Sequence, residues 1–189
     1  MAVLRFHNVG ITAISACVPR KVSSNLDLSL EKKALDKLIG SIGIKEKRIA
    51  TDAETTSDLC YKAAQQLMVN NAIDPESIDV LLFLTLTPDF IAPPTSPILQ
   101  HKLGLPTSTA CLDLSLACSG SVYALSTAFA YASLPGINKV LVLIGDTMSK
   151  MVNPKDNVNF PLYGDAGTAY MIEKGDFKES VFVLASDGS

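Results

Sequence analysis

Two nearly continuous apolar runs constrain the fold of this chain more than any other feature of its 189-residue sequence. They lie at residues 80–86 (VLLFLTL) and 139–145 (KVLVLIG), and each has the length of one strand. A strand with one face in water alternates apolar and polar residues, whereas a strand buried on both faces does not. Because parallel sheets are covered on both faces, the two runs predict the centre of a largely parallel sheet.

Strand-like and helix-like segments alternate along the rest of the chain. Further strands are predicted at residues 9–15, 109–115, 167–173 and 180–186. Helices are predicted after Ser24 and Asn25, after a Thr55–Asp58 capping box, and within the uncharged residues 114–138. A short polar segment joins the last two strands, which suggests an antiparallel hairpin at the sheet edge. The predicted fold class is α/β, with a mixed, mostly parallel five-stranded sheet covered by helices in one domain over residues 1–189.

Composition excludes several classes of protein. Hydrophobic residues make up 48% of the chain and charged residues 19%, which excludes a disordered protein. Sixteen Lys and Arg against 19 Asp and Glu give a net charge of −3, so nucleic acid is not an expected partner. The four cysteines form no CxxC pair, and we therefore expect neither a disulfide framework nor a metal site.

The uncharged segment 114–138 is long enough to raise the question of a membrane span. It contains six Ser or Thr residues and closes with a Pro-Gly pair, a composition that favours a helix buried within protein. The N-terminus has no basic region followed by an apolar core, so it does not read as a signal peptide. We expect no membrane association and a cytoplasmic location.

Cys118 has the most distinctive chemical setting in the sequence. A predicted strand ends just before it, and the tight Ala-Cys-Ser-Gly turn at 117–120 opens the uncharged helix. At a helix N-terminus, unpaired N–H groups and the helix dipole favour a thiolate, which is the form that attacks a carbonyl. The same N–H groups could stabilise the resulting oxyanion. A second interpretation stays open at this point, because many cysteines serve as small apolar side chains. Three others are expected to do so: Cys17, Cys60 and Cys111.

The segment 113–125 (DLSLACSGSVYAL) resembles the active-site segment of β-ketoacyl-acyl-carrier-protein synthase III, a family of the thiolase superfamily. Three other segments resemble motifs of the same family in the same order: 43–59 (GIKEKRIAT followed by ETTSDL), 84–94 (LTLTPDF and onward, a loop toward the dimer interface) and 163–169 (YGDAGTA, with Ala166 in place of a glycine). Together they span nearly the whole chain. The resemblance implies the N-terminal half of a thiolase-like fold, with the second half absent from this chain.

The resemblance also implies a reaction and its partners. Cys118 would accept an acyl group from a coenzyme A or phosphopantetheine thioester, and a malonyl-acyl-carrier protein would then lose CO2 and condense to a 3-ketoacyl product. This is a transferase reaction of fatty acid or related acyl-chain biosynthesis that needs no cofactor beyond its thioester substrates. In the family a histidine and an asparagine of the second half assist decarboxylation, and neither His7 nor His101 lies in a matching motif. We therefore expect this chain alone to be inactive, and the whole enzyme to be a homodimer.

Three basic residues are predicted to bind the coenzyme A or phosphopantetheine thioester: Lys37, Arg48 and Lys150. Lys37 stands where relatives that use acyl-coenzyme A often have a tryptophan, and Lys150 stands where they often have an arginine. Loss of the aromatic stack and of the bidentate guanidinium favours a carrier-protein donor. Residues 31–48 contain six basic and three acidic side chains, a basic segment that either steers an acidic carrier protein or forms a solvated helix face.

Two other functional interpretations remain at this stage. A chain that carries half of the fold could be a non-catalytic partner subunit that dimerises without turning over substrate. It could also belong to another condensing enzyme of the thiolase superfamily, such as a hydroxymethylglutaryl-CoA synthase type. Asp165, in the turn at 163–169, is expected to have a structural role.

Overall fold

The computed structural model describes residues 1–188 and confirms the predicted α/β architecture. In chain order the elements are β1 (Ala2–Phe6), β2 (Val9–Cys17), β3 (Val22–Ser24), α1 (Lys32–Ile42), β4 (Glu46–Arg48), α2 (Thr56–Asn70), β5 (Val80–Leu84), α3 (Thr95–Lys102), β6 (Ala110–Leu114), α4 (Gly120–Ser133), β7 (Lys139–Asp146), β8 (Ala166–Lys174) and β9 (Ser180–Leu184). Short 3-10 turns occur at Asn25–Asp27, Pro75–Ser77, Met148–Lys150 and Phe160–Leu162.

A five-stranded mixed sheet with the strand order β2-β8-β7-β5-β6 forms the centre of the fold. Strand β5 pairs in parallel with both β6 and β7, and β8 is antiparallel to its neighbours β2 and β7. Four of the five strands therefore run in one direction. Two small antiparallel pairs, β1 with β9 and β3 with β4, lie outside this sheet.

The two apolar runs form adjacent strands that are buried on both faces, as predicted. Along β5, Leu81 and Phe83 join the core cluster that contains α2 and α3 residues, whereas Val80 and Leu82 join the cluster that contains α4 residues. Strand β7 alternates in the same way. Because successive side chains point to opposite faces, a strand between two helical layers must be apolar at every position.

Helix α2 begins where the sequence predicts it. The Thr55 hydroxyl accepts a hydrogen bond from the Asp58 amide, and the Asp58 carboxylate accepts one from the Thr55 amide, both at 3.2 Å. This capping box satisfies two N–H groups that the first helical turn would otherwise leave unpaired. The helix then lies very close to β8, where a Cβ atom on Gly167 would come within 2.4 Å of the Cys60 amide nitrogen.

The predicted hairpin between the last two strands is wrong. Both edges of β8 are occupied, by β2 and by β7, so β9 cannot pair with it. Instead β9 pairs in antiparallel fashion with β1. Three aromatic rings stabilise the pairing of β9 with β1. The ring centroid of Phe182 lies 5.7 Å from that of Phe6 and 5.1 Å from that of Phe129 in α4.

The predicted start of the first helix is also wrong. The Ser24 hydroxyl accepts a hydrogen bond from the Leu26 amide at 3.1 Å, but it caps only a single 3-10 turn, and α1 begins later, at Lys32. Asn25 caps nothing. Its side-chain nitrogen donates to the Ile44 and Pro161 carbonyl oxygens, each at 3.0 Å.

Helix α4 follows the Cys118 turn and packs on the sheet through small side chains. Ala124, Ala128 and Ala132 are fully buried, while Val122 on another face of the helix is 43% exposed. The helix is therefore buried along one face and partly exposed on another. Among residues 1–188, none of the helices has both the length and the apolarity required to cross a bilayer.

Replacing Gly167 with alanine should destabilise the fold, because the new methyl group would meet the α2 backbone at Leu59 and Cys60. We expect a loss of about 1–3 kcal/mol in the free energy of unfolding, the usual range for overpacking. The matched control is Gly40→Ala in α1, where a Cβ atom meets nothing within 4 Å and should stabilise the helix by about 0.5–1 kcal/mol. Urea unfolding measures both values, and equal effects at the two glycines would contradict the packing described.

Cys60 should make the protein less stable at alkaline pH. Burial raises the pKa of its thiol from 9.0 to about 12. The unfolded chain then ionises first, so the stabilisation is complete below about pH 9 and is lost as the pH rises toward the folded-state pKa. At about pH 10.5 the loss should be of the order of 2 kcal/mol. Urea unfolding at several pH values, with Cys60→Ala as the control, tests this: the control should lose less stability over the same range, and identical slopes would refute the assignment.

Candidate active site

A cleft of about 510 Å³ opens at the carboxyl ends of β5, β6 and β7. Open α/β sheets generally bind ligands at this edge, where the loops that follow parallel strands converge. Strand β8 is antiparallel to β7, so the first residues of β8 lie at this same edge and also line the cleft. The cleft is lined by Leu84, Leu86, Leu116, Ala117, Cys118, Ser121, Ile144, Gly145, Asp146, Met148, Tyr163, Gly164, Ala166, Thr168 and Tyr170. Most of these side chains are apolar, so the cleft suits a hydrocarbon chain better than a charged group.

Cys118 lies in the turn between β6 and α4, with its side chain exposed in the cleft. The turn is closed by a 2.7 Å hydrogen bond from the Gly120 amide to the Ala117 carbonyl oxygen, so that amide cannot bind a substrate. The amides of Cys118 and Ser119 have no acceptor within residues 1–188. The Cys118 turn therefore has two N–H groups without a protein acceptor, and free N–H groups of this kind are the donors that bind a negatively charged oxygen.

Gly120 is required by the packing of the Cys118 turn. A Cβ atom at this position would lie 2.9 Å from the Leu116 Cβ and 2.9 Å from a Leu84 methyl carbon. Such distances are shorter than van der Waals contact, so any larger residue would push the start of α4 away from the end of β5. The glycine thus allows the start of α4 to pack against Leu84 at the end of β5, next to the turn that carries Cys118.

Asp146 holds the loop that follows β5. One of its carboxylate oxygens accepts hydrogen bonds from the amides of Leu86 and Thr87 at 2.7 and 3.2 Å and from the hydroxyls of Thr85 and Thr87 at 2.9 and 3.1 Å. Leu86 and Asp146 both line the cleft, so this network fixes one side of it. Asp146 was not among the residues predicted from the sequence. The only available signal was a carboxylate at the end of a buried apolar strand.

Two more carboxylates missed by the sequence analysis order the neighbouring helices. Asp113 of β6 accepts hydrogen bonds from the first two α3 amides, Thr95 and Ser96, at 2.7 and 2.8 Å. Asp89 accepts the Ser57 amide and hydroxyl at 3.2 and 2.5 Å and so anchors the start of α2. Negative charge at a helix N-terminus is favourable because it pairs unsatisfied N–H groups and opposes the dipole.

Asp165 is buried and joins three segments around the cleft, in agreement with the structural role expected for it. Its carboxylate accepts hydrogen bonds from the Ala50 amide at 2.6 Å and from the Ser149 amide and hydroxyl at 2.8 and 2.5 Å. Its own amide donates to the Arg48 carbonyl oxygen at 2.8 Å. The neighbouring Gly164 lies against this backbone and lines the cleft.

None of the three basic residues predicted to bind the thioester substrate lines the Cys118 cleft. Lys37 is exposed on α1, and the exposed Arg48 guanidinium donates to the Arg20 carbonyl oxygen at 3.0 Å. The Lys150 ammonium donates to the carbonyl oxygens of Asp52 and Glu54, and the residue borders two neighbouring depressions.

One member of the basic segment is not on the surface at all. Lys47 is only 8% exposed, so it cannot belong to a solvated patch that steers a carrier protein. Its ammonium lies 3.6 Å from the centre of the Phe160 ring, and burial lowers its pKa despite the opposing charge of Asp165. His7 and His101 also lie away from the cleft, His7 beside Glu179 at 3.5 Å and His101 in the last turn of α3.

Comparison with known proteins shows the same family by sequence and by structure. Residues 112–188 match the family model described as 3-oxoacyl-(acyl-carrier-protein) synthase III. The chain is 36% identical to the β-ketoacyl-(acyl-carrier-protein) synthase III of Phocaeicola vulgatus, over 96% of this chain and 55% of that protein. It is 37% identical to the Lactococcus lactis enzyme of the same name, over 95% of this chain and 55% of that protein. The chain spans about half the length of the curated relatives it matches.

Solved structures agree over nearly the whole chain. A 3-oxoacyl-(acyl-carrier protein) synthase from Burkholderia xenovorans superposes with a TM-score of 0.95 at 33% identity and covers 99% of this chain and 54% of that one. The 3-oxoacyl-(acyl-carrier-protein) synthase III of Aquifex aeolicus gives a TM-score of 0.82 at 30% identity, over 90% of this chain and 55% of that one. The chain belongs to the β-ketoacyl-acyl-carrier-protein synthase III family and corresponds to the N-terminal half of its members.

Proposed function

We propose that this chain carries the acyl-accepting half of a β-ketoacyl-acyl-carrier-protein synthase III and that Cys118 is its nucleophile. The observation that carries the proposal is the exposed Cys118, which lines an apolar cleft in a turn with two free backbone amides. In a member of this family, a thiol in such a cleft suits the capture of an acyl group from a thioester.

The reaction begins with attack of the Cys118 thiolate on the carbonyl carbon of an acyl thioester. The carbonyl oxygen becomes negatively charged in the tetrahedral intermediate, and the free amides of Cys118 and Ser119 are suited to stabilise it. Collapse of the intermediate breaks the bond to the donor sulfur and releases the donor thiol. The acyl group is then held on Cys118 as a thioester, with its hydrocarbon chain along the apolar wall of the cleft.

The second half of the reaction consumes the acyl group. A malonyl thioester loses CO2, and its carbanion attacks the acyl-enzyme to form the new carbon–carbon bond and release the Cys118 thiolate. Among residues 1–188, no histidine lines the cleft, so this chain supplies no imidazole to assist decarboxylation. Decarboxylation and condensation are therefore proposed for the whole enzyme rather than for this chain alone.

The donor is proposed to be a phosphopantetheine thioester on acyl-carrier protein or its coenzyme A counterpart. Lys37 and Arg48 are exposed, on α1 and on the strand that follows it, and could attract the phosphate of either donor. The Lys150 ammonium already donates to the carbonyl oxygens of Asp52 and Glu54, just before α2. We therefore propose that Lys150 orders the start of α2, in addition to any contact that it makes with phosphate. A cytoplasmic location suits such a donor.

A homodimer is proposed with β6 at the contact. This strand is at the edge of the main sheet and pairs with a neighbour on one side only. Leu112 in its centre is 40% exposed. An unpaired, mainly apolar edge strand is a template for pairing with a second chain, unless charged residues protect it.

Acylation of Cys118 is the direct test of the nucleophile. The protein is incubated separately with acyl-coenzyme A and with acyl-carrier protein, and each cysteine peptide is examined by mass spectrometry. We expect the acyl mass on the Cys118 peptide from at least one donor, its loss in Cys118→Ala and its retention in Cys111→Ala. The chain alone should release no CO2 from malonyl-carrier protein. A protein that acquires no acyl group from either donor would support the partner-subunit interpretation instead.

Leu112→Lys should weaken self-association, since it introduces a charge at the free edge of β6. Sedimentation velocity at several concentrations measures the effect. Val69→Lys is the matched control, because Val69 is 79% exposed on α2, away from the sheet edge, and should change nothing. An unchanged association in Leu112→Lys, or a wild-type protein that is monomeric at all concentrations, would contradict the proposed contact.

A further inference from the structure

We propose that Lys47 and Asn25 are positioning residues that set the width of the Cys118 cleft. The proposal rests on the proposed function in one respect only, namely that the cleft binds an acyl group. Its structural basis is a pair of polar contacts between residues in or next to the paired strands β3 and β4 and the segment 160–164, whose last two residues line the cleft. Residues 160–164 are the wall segment.

The first contact is made by Lys47, which is 8% exposed in β4. Its ammonium donates to the Phe160 carbonyl oxygen and lies 3.6 Å from the centre of the Phe160 ring. Lysine is rarely buried to this extent unless its charge is satisfied. The Lys47 ammonium holds one end of the wall segment through a hydrogen bond and a cation–π contact with Phe160.

The second contact is made by Asn25, which has no exposed surface. Its side-chain nitrogen donates both to the Ile44 carbonyl oxygen, just before β4, and to the Pro161 carbonyl oxygen in the wall segment. One side-chain amide thus joins the residues just before β4 to the wall segment. The two contacts hold successive residues, Phe160 and Pro161. They therefore fix both the distance of the wall segment from β4 and its position along the strand.

The wall segment leads directly into the cleft. Tyr163 and Gly164 line the cleft that also contains Cys118. The next amide, that of Asp165, donates to the Arg48 carbonyl oxygen beside Lys47. Hydrogen bonds to β4 therefore hold Phe160 and Asp165, and two of the residues between them, Tyr163 and Gly164, line the cleft. Loss of the Lys47 tie should let Tyr163 and Gly164 move, while the Cys118 turn, held by separate contacts to β5 and α4, stays in place.

The variant Lys47→Met tests this, because it keeps most of the side-chain length and removes the charge. Lys45→Met, an exposed neighbour, is the matched control, and Lys47→Arg restores a cation. The first measurement is the ratio of Cys118 alkylation rates with N-benzylmaleimide and with iodoacetamide, a bulky and a small reagent. We expect this ratio to rise about tenfold in Lys47→Met, the factor that corresponds to a hydrogen bond to a charged group. It should stay at the wild-type value in Lys45→Met and return toward it in Lys47→Arg.

Hydrogen exchange separates positioning from general destabilisation. In Lys47→Met the amides of Leu162 and Asp165 should exchange about tenfold faster, whereas those of the central strands β5 and β7 keep their wild-type rates. Acceleration throughout the protein, or an alkylation ratio equal to the wild-type value, would overturn the proposal. Asn25→Ser, which removes the second contact, gives the same test if Lys47→Met folds poorly.

Acylation of Cys118 with a short and a long acyl group tests whether the wall segment affects the proposed function. The wild-type protein and Lys47→Met are given acetyl- and octanoyl-N-acetylcysteamine thioesters, and acylation of Cys118 is followed by mass spectrometry. We expect the octanoyl-to-acetyl ratio to change about fivefold or more, within the range that pocket contacts confer on chain-length discrimination. If the wild-type protein accepts neither acyl group, the proposed function fails, yet the alkylation and exchange results still decide the role of Lys47.

Discussion

The burial of β5 and β7 on both faces is the constraint on which the rest of the structure depends. Neither strand has a face that can tolerate a polar residue, so helices must cover both sides and the strands must lie at the centre of the sheet. Parallel pairing of β5 with β6 and β7 then brings three carboxyl ends to one edge. The chain leaves the core at that edge, and the turn with Cys118 is one of the connections that it makes there. The position of the thiol follows from the packing of the sheet.

Carboxylates fix the loops and helix starts near this edge of the sheet. Asp146, Asp113 and Asp165 each bind backbone amides of other segments. They fix the loop after β5, the start of α3, and the segments at residues 50 and 149 respectively. A hydrogen bond to a charged acceptor is stronger than one between neutral groups, which suits loops that have few apolar contacts of their own. Lys47 has the corresponding role with a positive charge. Close packing at Gly120 sets the start of α4 next to the Cys118 turn, and the Asp146 contacts fix the loop on one side of the cleft.

Local patterns predicted the elements, but long-range pairing decided the arrangement. The apolar runs, the Thr55 capping box and the tight turn at Cys118 each depend on neighbouring residues, and the structure contains all three. The pairing of β9 could not be predicted from its own sequence, because it depends on both edges of β8 being occupied. Lys47 was misjudged for the same reason: a lysine among other charged residues indicates a surface, and only the distant Phe160 provides a buried partner. Asp146 gave only the signal of a carboxylate at the end of a buried apolar strand, because its donors lie about 60 residues away.

The central claim is that strand convergence places the Cys118 sulfur and two free amides around a single acyl carbonyl group. A crystal structure of the protein after reaction with an acyl thioester tests this most directly. The claim predicts continuous electron density from the Cys118 sulfur along the apolar wall, with the carbonyl oxygen at about 3 Å from the amide nitrogen of Cys118 or Ser119. An acyl group attached to another cysteine, or a carbonyl oxygen directed toward solvent and away from both amides, would contradict it.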